Sequence, residues 1–563
     1  MNRIEILKYF LRQPFRSDGE NDGLDNNFLV GGAGVKGGKY KWTTLRHHGP
    51  KFEPPFVKQN VPIIYDGKEI ILSKDAEEVA LLYARYNDSE YIHNNTFNKN
   101  FFNDWKKILG NDSPIKSLDL CDFSLMKQHL DDQKEKLKNE KLLNKDVEKE
   151  DDNSYYKEVL IDGKIQEISN YKIEPIGIFI GRGLNKNLGK IKRRIYPEDI
   201  TLNLGKEESV PELPDFLKGH KFGKIICDKK AEWLASWDAP VINKKKYMWL
   251  SNHSDMKTIG DQAKFLLAQK LKKKIKHIRE VNDKNLFSDN LQMRQIATAL
   301  YFIDHLGLRV GNENDNTADT VGISNLRIEH INLESNNEVV LNFLSKDSVE
   351  YFNTVKVDPI VYKNLKEFAK DKKKGDELFD KINSSDINEY LQEFMKGLTA
   401  KVFRTYNGSN LFQKEIMKIS KKYEGTEGHE KEILDAFLRA NLIVAKLLNH
   451  KKNIATGYKT KVDNISGILD KLKKKLAKAK RSKKKNPKTI EQLKEKINNY
   501  KSKKEITKDM RDVSLDTSKA NYVDPKILVS FMKRHKLDVN KIFSKALQKK
   551  FSWAFDVDEN YKF

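Results

Sequence analysis

Ser518-Lys519-Ala520-Asn521-Tyr522-Val523-Asp524-Pro525 is the stretch on which the reading of this chain turns. It opens a short C-terminal module directly after a lysine-rich segment. Residues 459–513 carry 20 basic and 7 acidic side chains, against a net charge of +24 for all 563 residues. Within that segment Val462, Ile465, Leu469, Leu472, Leu476 and Ala479 recur at alternating spacings of three and four, as do Ile490, Leu493, Ile497 and Tyr500. Lys485-Asn486-Pro487-Lys488 separates the two runs. This pattern predicts an antiparallel two-helix coiled coil. The coiled coil spaces the body of the chain from a phenol, Tyr522, at the head of the last module.

Upstream, residues 255–450 read as mostly helical with one β-hairpin, its strands at 339–344 and 349–352. Residues 155–249 read as strands and turns carrying Gly181-Arg182-Gly183 and Lys190-Ile191-Lys192-Arg193-Arg194, and residues 61–105 mix short strands with helix. Residues 131–153 predict a solvated helix with few apolar anchors, Leu137, Leu142 and Leu143. Residues 1–38 are polar, end in a glycine run and read as a flexible arm. Gly32, Gly34 and Gly37 match G-x-G-x-x-G, but no helix pattern follows, so a dinucleotide site is not expected. The fold class is multidomain α+β, since so long a chain cannot bury itself around one core.

The basic excess favours a polyanionic partner, nucleic acid first. No run approaches the roughly 18 apolar residues of a membrane span, and residues 1–15 show no secretion signal. Cys121 and Cys227 are the only cysteines, too few for a disulfide framework or a cysteine-rich zinc site. Residues 312–319 resemble a calcium loop but lack its glycine and closing glutamate. Walker and H-E-x-x-H motifs are missing. Phosphate chemistry without cofactor or protein-bound metal is the expectation.

A tyrosine hydroxyl titrates near pH 10 in water, at about 10, so attack on phosphorus requires neighbouring cations to stabilise phenolate and transition state. Arg309 follows the amphipathic run Ile296, Leu300, Ile303 and Leu306, with Gly311-Asn312 as the stop. Lys346 sits at the hairpin tip, where a lysine is either solvated or delivered to a phosphate as a proton donor. Arg404 reads as the end of a helix capped by Asp386 and Glu389, and His450 as the end of the helix of Leu434, Leu438, Ile443, Val444 and Leu447. Each basic residue also suits a helix C-terminus on electrostatic grounds alone.

Taken together, the contexts resemble one family. Ala299 to Asp304, Leu308-Arg309, Gly311-Asn312-Glu313, Lys346-Asp347-Ser348, Leu398 to Asn407, Arg439-Ala440-Asn441, Asn449-His450 and Thr517-Ser518-Lys519 with Asn521-Tyr522 carry the likeness. Upstream, Tyr65-Asp66-Gly67-Lys68, Gly181-Arg182-Gly183 and Lys192-Arg193-Arg194-Ile195 continue it. Over residues 40–563 the chain resembles eukaryotic-type DNA topoisomerase I, the type IB topoisomerases.

The resemblance implies that Tyr522 attacks a DNA phosphodiester to give a 3′-phosphotyrosyl link. Arg309, Arg404 and His450 would hold the non-bridging oxygens, and Lys346 would protonate the leaving 5′-oxygen. Arg182, Lys192, Arg193, Asp347 and Asn521 would contact DNA. It also implies a monomeric bilobed clamp around double-stranded DNA, with a mixed α/β cap and a mainly helical catalytic subdomain related to tyrosine recombinases. The divisions expected are an arm (1–39), a cap and core base (40–250), the catalytic subdomain (251–455), the coiled-coil linker (456–513) and a small helical C-terminal domain (514–563). Phe179, Gly181, Arg182, Asp347 and Asn521 match positions where camptothecin-type poisons wedge. The implied location is the nucleus, or a viral factory or virion if the source is a large DNA virus. Ile180 and Lys451-Lys452-Asn453 depart from the usual pattern, without removing a catalytic group. Two other readings stay open: a tyrosine recombinase acting on defined sites, and a purely structural DNA clamp.

Overall fold

The computed structural model describes residues 40–143, 153–181, 185–311, 320–425, 428–452, 454–481 and 486–563. The arm, the glycine run, Arg182 and the loop 312–319 lie outside the described residues. The described chain divides into two compact units, residues 40–259 and residues 260–563.

Short strands dominate the first unit. A three-stranded sheet joins β1 (Ile63–Tyr65) to β2 (Lys68–Ile70) and β3 (Cys121–Asp122), with β1 in the middle. Around it, helices α1 (Lys74–Ala84), α2 (Asn95–Leu109) and α3 (Ser124–Leu143) enclose Phe97, Phe101, Trp105 and Met126. Helix α3 begins before the predicted solvated stretch, because Met126 reaches this core while Leu137 remains exposed. A second sheet orders β5 (Lys224–Ile226), β4 (Thr201–Asn203), β6 (Trp233–Asp238) and β7 (Lys245–Trp249), its first pair parallel.

The second unit is mostly helical around one large core, with smaller clusters beside it. Helix α4 (Asp255–Asn285) leads into α5 (Leu291–Leu306), which is buried on every side from Gln295 to Asp304 and forms the axis of the unit. Asn290 caps its start by accepting the Met293 N–H at 3.2 Å. Its end differs from the sequence expectation: the stop is Gly307, not Gly311. Gly307 takes a left-handed backbone (φ 60°), and a side chain there would press on the Leu447 carbonyl at 3.3 Å. Arg309 therefore lies beyond the helix.

Strands β8 (Ile331–Leu333), β9 (Glu338–Ser345) and β10 (Val349–Lys356) form an antiparallel sheet. Val339, Leu341, Phe343 and Ser345 alternate inward along β9, the period of a half-buried strand. A tight turn at Lys346–Ser348, with Ser348 left-handed at φ 56°, reverses the chain.

After α6 (Pro359–Phe368) and α7 (Ser384–Phe394), α8 (Ala400–Lys422) starts anew. Asp386 belongs to the capping box of α7 with Asn383. Arg404 thus stands in the first turns of α8 rather than at a helix end, since the chain breaks between Phe394 and Ala400.

Helix α9 (Glu430–Leu447) ends three residues before His450. Asn449 adopts a left-handed backbone (φ 51°), the His450 N–H donates to the Ala445 carbonyl at 2.9 Å and the Asn449 N–H to Lys446 at 3.1 Å. This is a Schellman cap, with His450 just outside the helix.

Helices α10 (Tyr458–Arg481) and α11 (Pro487–Asp509) pack together through Ile465, Leu469, Leu472, Leu476, Ile497 and Tyr500. The two ends of this excursion meet: Lys451 bridges Val513, and the Lys452 N–H donates to the Asp512 carbonyl at 2.8 Å. That bridge returns the chain to the core just before α12 (Leu515–Asn521), which ends at Tyr522. Helix α13 (Pro525–Arg534) follows, capped by Asp524.

Candidate active site

Three helix ends converge on one cleft. Arg404, 3% exposed on α8, donates to the carbonyl of Gly307 at the end of α5, and to that of Leu448 at the end of α9 at 2.9 Å. No carboxylate pairs with it among the described residues. Instead, two helix C-termini supply the partial negative charge that keeps a buried guanidinium in place. Burial first, then the nearby Arg309, depress its pKa to about 10, and the Tyr522 phenol works in the opposite direction. It stays charged near neutrality. Arg309, Arg404, Ser345, Tyr351 and Asn449 line the cleft together.

Tyr522 meets this cleft from the C-terminal module. The Arg404 guanidinium lies 4.9 Å from its ring centre, and the His450 ring stacks on it at 5.2 Å. Its backbone is pinned to α8. The Ser409 hydroxyl donates to the Tyr522 carbonyl at 3.1 Å and accepts the Asp524 N–H at 3.0 Å. Gly408 makes that approach possible, since a Cβ there would sit 2.9 Å from the same carbonyl oxygen. Burial by itself pushes the phenol pKa up; Arg404 and Arg309 outweigh it and hold the phenol below its ordinary value. Phenolate character is thereby favoured.

His450 is 4% exposed. Burial, followed by Arg404 and Arg309, lowers its pKa to about 3, so the ring is neutral near pH 7. Its Nδ1 lies 2.7 Å from the Ser518 hydroxyl, and its carbonyl accepts the Ser514 N–H at 2.7 Å. Lys346 is placed differently: it is exposed at the hairpin tip, and no hydrogen bond or ion pair joins it to the other four among the described residues. Its neighbour Ser345 lines the cleft, so the turn borders the site while Lys346 itself is exposed.

This cluster of two arginines, a neutral histidine and a tyrosine can stabilise an anion beside an activated phenol. Residues 40–250 match the family model described as eukaryotic DNA topoisomerase I, DNA binding fragment. Residues 253–483 match that of its catalytic core, and residues 494–563 that of the C-terminal topoisomerase domain. The chain is 38% identical to DNA topoisomerase 1 of Homo sapiens, over 93% of this chain and 72% of that protein. It belongs to the eukaryotic DNA topoisomerase I family. DNA topoisomerase 1 of Caenorhabditis elegans is likewise 38% identical, over 93% of this chain and 68% of the relative. DNA topoisomerase 1 beta of Arabidopsis thaliana is 37% identical over 93% of this chain, which spans 60% of that relative's length.

The residues expected to face DNA in a topoisomerase I are less uniformly disposed. Lys192 sits in a short strand paired with Gly177 and is half-buried. Arg193 is held by Asp199 through two 2.7 Å contacts, so its guanidinium is already engaged. Asn521 is exposed beside Tyr522, its amide donating to the Thr517 carbonyl at 3.1 Å. The side chain of Asp347 lies outside the described residues, as does Arg182.

Sequence reading missed Ser409, Gly408, Tyr351 and the part played by Ser518. Ser518 lies one helical turn before Tyr522, whose N–H donates to the Ser518 carbonyl at the end of α12. Nothing local marks Ser409 or Tyr351, which reach the site only through long-range packing.

Proposed function

We propose that this chain relaxes supercoiled double-stranded DNA as a type IB topoisomerase, acting as a monomer without ATP or a metal ion. The observation that carries the reading is the approach of Arg404 and His450 to the Tyr522 ring, with Arg309 in the same cleft. Tyr522, having lost its phenol proton to solvent beside Arg404 and Arg309, would attack the scissile phosphorus as phenolate, forming a 3′-phosphotyrosyl bond as the P–O bond to the 5′-oxygen breaks. Arg309 and Arg404 would hold the two non-bridging oxygens, where charge accumulates, with His450 donating a further hydrogen bond. Lys346, exposed on its turn, would donate the proton to the 5′-oxygen, which requires the hairpin tip to close on the bound duplex. Because the phosphotyrosyl bond conserves the phosphodiester energy, religation is the reverse step and needs no fuel.

On this reading residues 40–250 form the cap and base of a clamp, 251–455 the catalytic subdomain, 456–513 an antiparallel coiled-coil linker and 514–563 the module that delivers the nucleophile. The linker's charge would brake the rotating duplex without taking part in cleavage. The place of action would be the nucleus, or a viral factory or virion if the source is a large DNA virus.

Plasmid relaxation in EDTA without ATP, comparing the intact chain with Tyr522→Phe, tests the proposal. The intact protein relaxes the plasmid and forms a covalent DNA adduct, and the variant does neither. Equal relaxation by both, or by neither, refutes the mechanism.

A further inference from the structure

The two nitrogens of His450 are in different situations. Nδ1 lies 2.7 Å from the Ser518 hydroxyl, whereas Nε2 is buried and has no hydrogen-bond partner among the described residues. Ser518 is 0% exposed, so no solvent enters between them. A neutral imidazole carries a single N–H, and its position decides whether the ring can donate or only accept toward the cleft.

Two arrangements satisfy the short Nδ1 contact. If Nδ1–H donated to Ser518, the hydroxyl proton would need an acceptor of its own, and Ser518 makes no other side-chain hydrogen bond among the described residues. Nε2 would then be a buried lone pair, able to accept but not to donate. If the hydroxyl donates to Nδ1, the hydroxyl proton is used and Nε2–H is presented as a donor. The second arrangement leaves one polar group open, and that group is what an incoming anionic oxygen needs.

Both partners are held by their backbones. The Ser518 carbonyl accepts the N–H groups of Tyr522 at 2.9 Å and Val523 at 3.1 Å, and His450 is fixed by the cap of α9 and by Ser514. We infer that Ser518 is a positioning residue whose hydroxyl donates to Nδ1 of His450 and holds the ring as the Nε2–H tautomer, a ready donor to a phosphate oxygen. The catalytic consequence rests on the topoisomerase reading; the tautomer itself does not. Because Ser518 lies on α12 and Tyr522 caps the end of that helix, the module that brings the nucleophile also arms the histidine. An undocked module would leave His450 without its tautomer control.

The full chain labelled with 15N-histidine reads the tautomer directly, with His450→Gln assigning the resonance. Single-turnover cleavage of a nick-trapping duplex by wild type, Ser518→Ala and Ser518→Thr reads the consequence. Wild type should show an unprotonated Nδ1 and protonated Nε2. Ser518→Ala should lose that bias and cleave about 10- to 100-fold more slowly, by analogy with the loss of groups that orient metal-ligating histidines. Its melting temperature and non-covalent duplex affinity should stay near wild type, and Ser518→Thr should recover tautomer and rate. A wild-type ring protonated at Nδ1 overturns the inference. So does Ser518→Ala with unchanged tautomer or unchanged rate. If the wild type does not cleave DNA at all, the topoisomerase reading fails, and the spectra alone decide what Ser518 does.

Discussion

Arg404 concentrates the physics of the site. Its two carbonyl partners, Gly307 and Leu448, are helix-terminal groups that would otherwise be unsatisfied, so one guanidinium closes two helices and faces the phenol. Lysine keeps the charge but cannot span both carbonyls with a planar fork. Arg404→Lys should therefore slow single-turnover cleavage by about 10²- to 10³-fold, while duplex binding changes little. The sign of the pH effect also follows. Arg404 is the leading influence lowering the Tyr522 pKa against burial, chiefly through its charge, so the phenol of the charge-free variant Arg404→Gln should titrate higher. Its pH–rate profile should shift to higher pH than wild type; an unshifted profile would show that Arg404 does not tune the nucleophile. Tyr522 and the four basic residues were legible as candidates because each sits in a recognisable sequence context. The convergence of Arg309, Arg404, His450 and Tyr522 was not, since it depends on contacts between residues such as Gly307 and Arg404 that are far apart in the chain.

At the scale of elements, close approach and capping set the geometry. Helix α8 touches the Tyr522 loop through Gly408, where an added methyl would meet main chain rather than a yielding side chain. Gly408→Ala should improve helix propensity by about 0.5–1 kcal/mol yet displace the loop. The expected result is a protein of near-normal melting temperature with cleavage reduced at least tenfold, about 1.4 kcal/mol of barrier; unchanged cleavage would mean that the loop accommodates the methyl.

A second element-scale effect lies in the first unit. The Gly49 N–H donates to Nδ1 of His47 at 3.0 Å, so Nε2–H donates to the Asn203 carbonyl at 2.9 Å and the ring is locked neutral. Burial lowers its pKa to about 4 from 6.5. Above pH 6.5 neither folded nor unfolded chain binds this proton. As pH falls from 6.5 towards 4, only the unfolded chain takes it, and stability drops by up to about 3 kcal/mol. His47→Gln should flatten that part of the pH–melting profile, leaving the share of His48, whose pKa is lowered in the same direction. Helix existence here was readable from periodicity. The stops at Gly307 and Asn449 were misplaced by a few residues, because a left-handed cap depends on what packs against it.

For the whole molecule, charge is the governing quantity. Of the net +24, the excess in residues 459–513 falls on a helix pair whose apolar contacts are confined to one narrow seam, leaving most of the lysines among the described residues exposed. On the proposed function, which requires binding to any sequence, contacts go mostly to phosphates, each neutralised phosphate steepening the salt dependence by about 0.9 in logarithmic slope. Affinity of the Tyr522→Phe protein for a plain duplex should thus fall by at least about 10³-fold between 50 and 200 mM salt. Glutamine at several linker lysines should reduce that slope and speed supercoil release without changing single-turnover cleavage. A slope near zero would remove the electrostatic account of binding.

By itself the sequence determined the multidomain α+β class, the helical heptads of 459–513, the hairpin bearing Lys346 and family membership, because each is written in local spacing or contiguous motifs. Only the tertiary structure decided that Lys451 and Val513 close the linker excursion, that two helix ends hold Arg404, and that Ser518 and Ser409 fix His450 and Tyr522. Those contacts join distant segments through buried polar groups, whose partners are set by packing rather than by the order of residues along the chain.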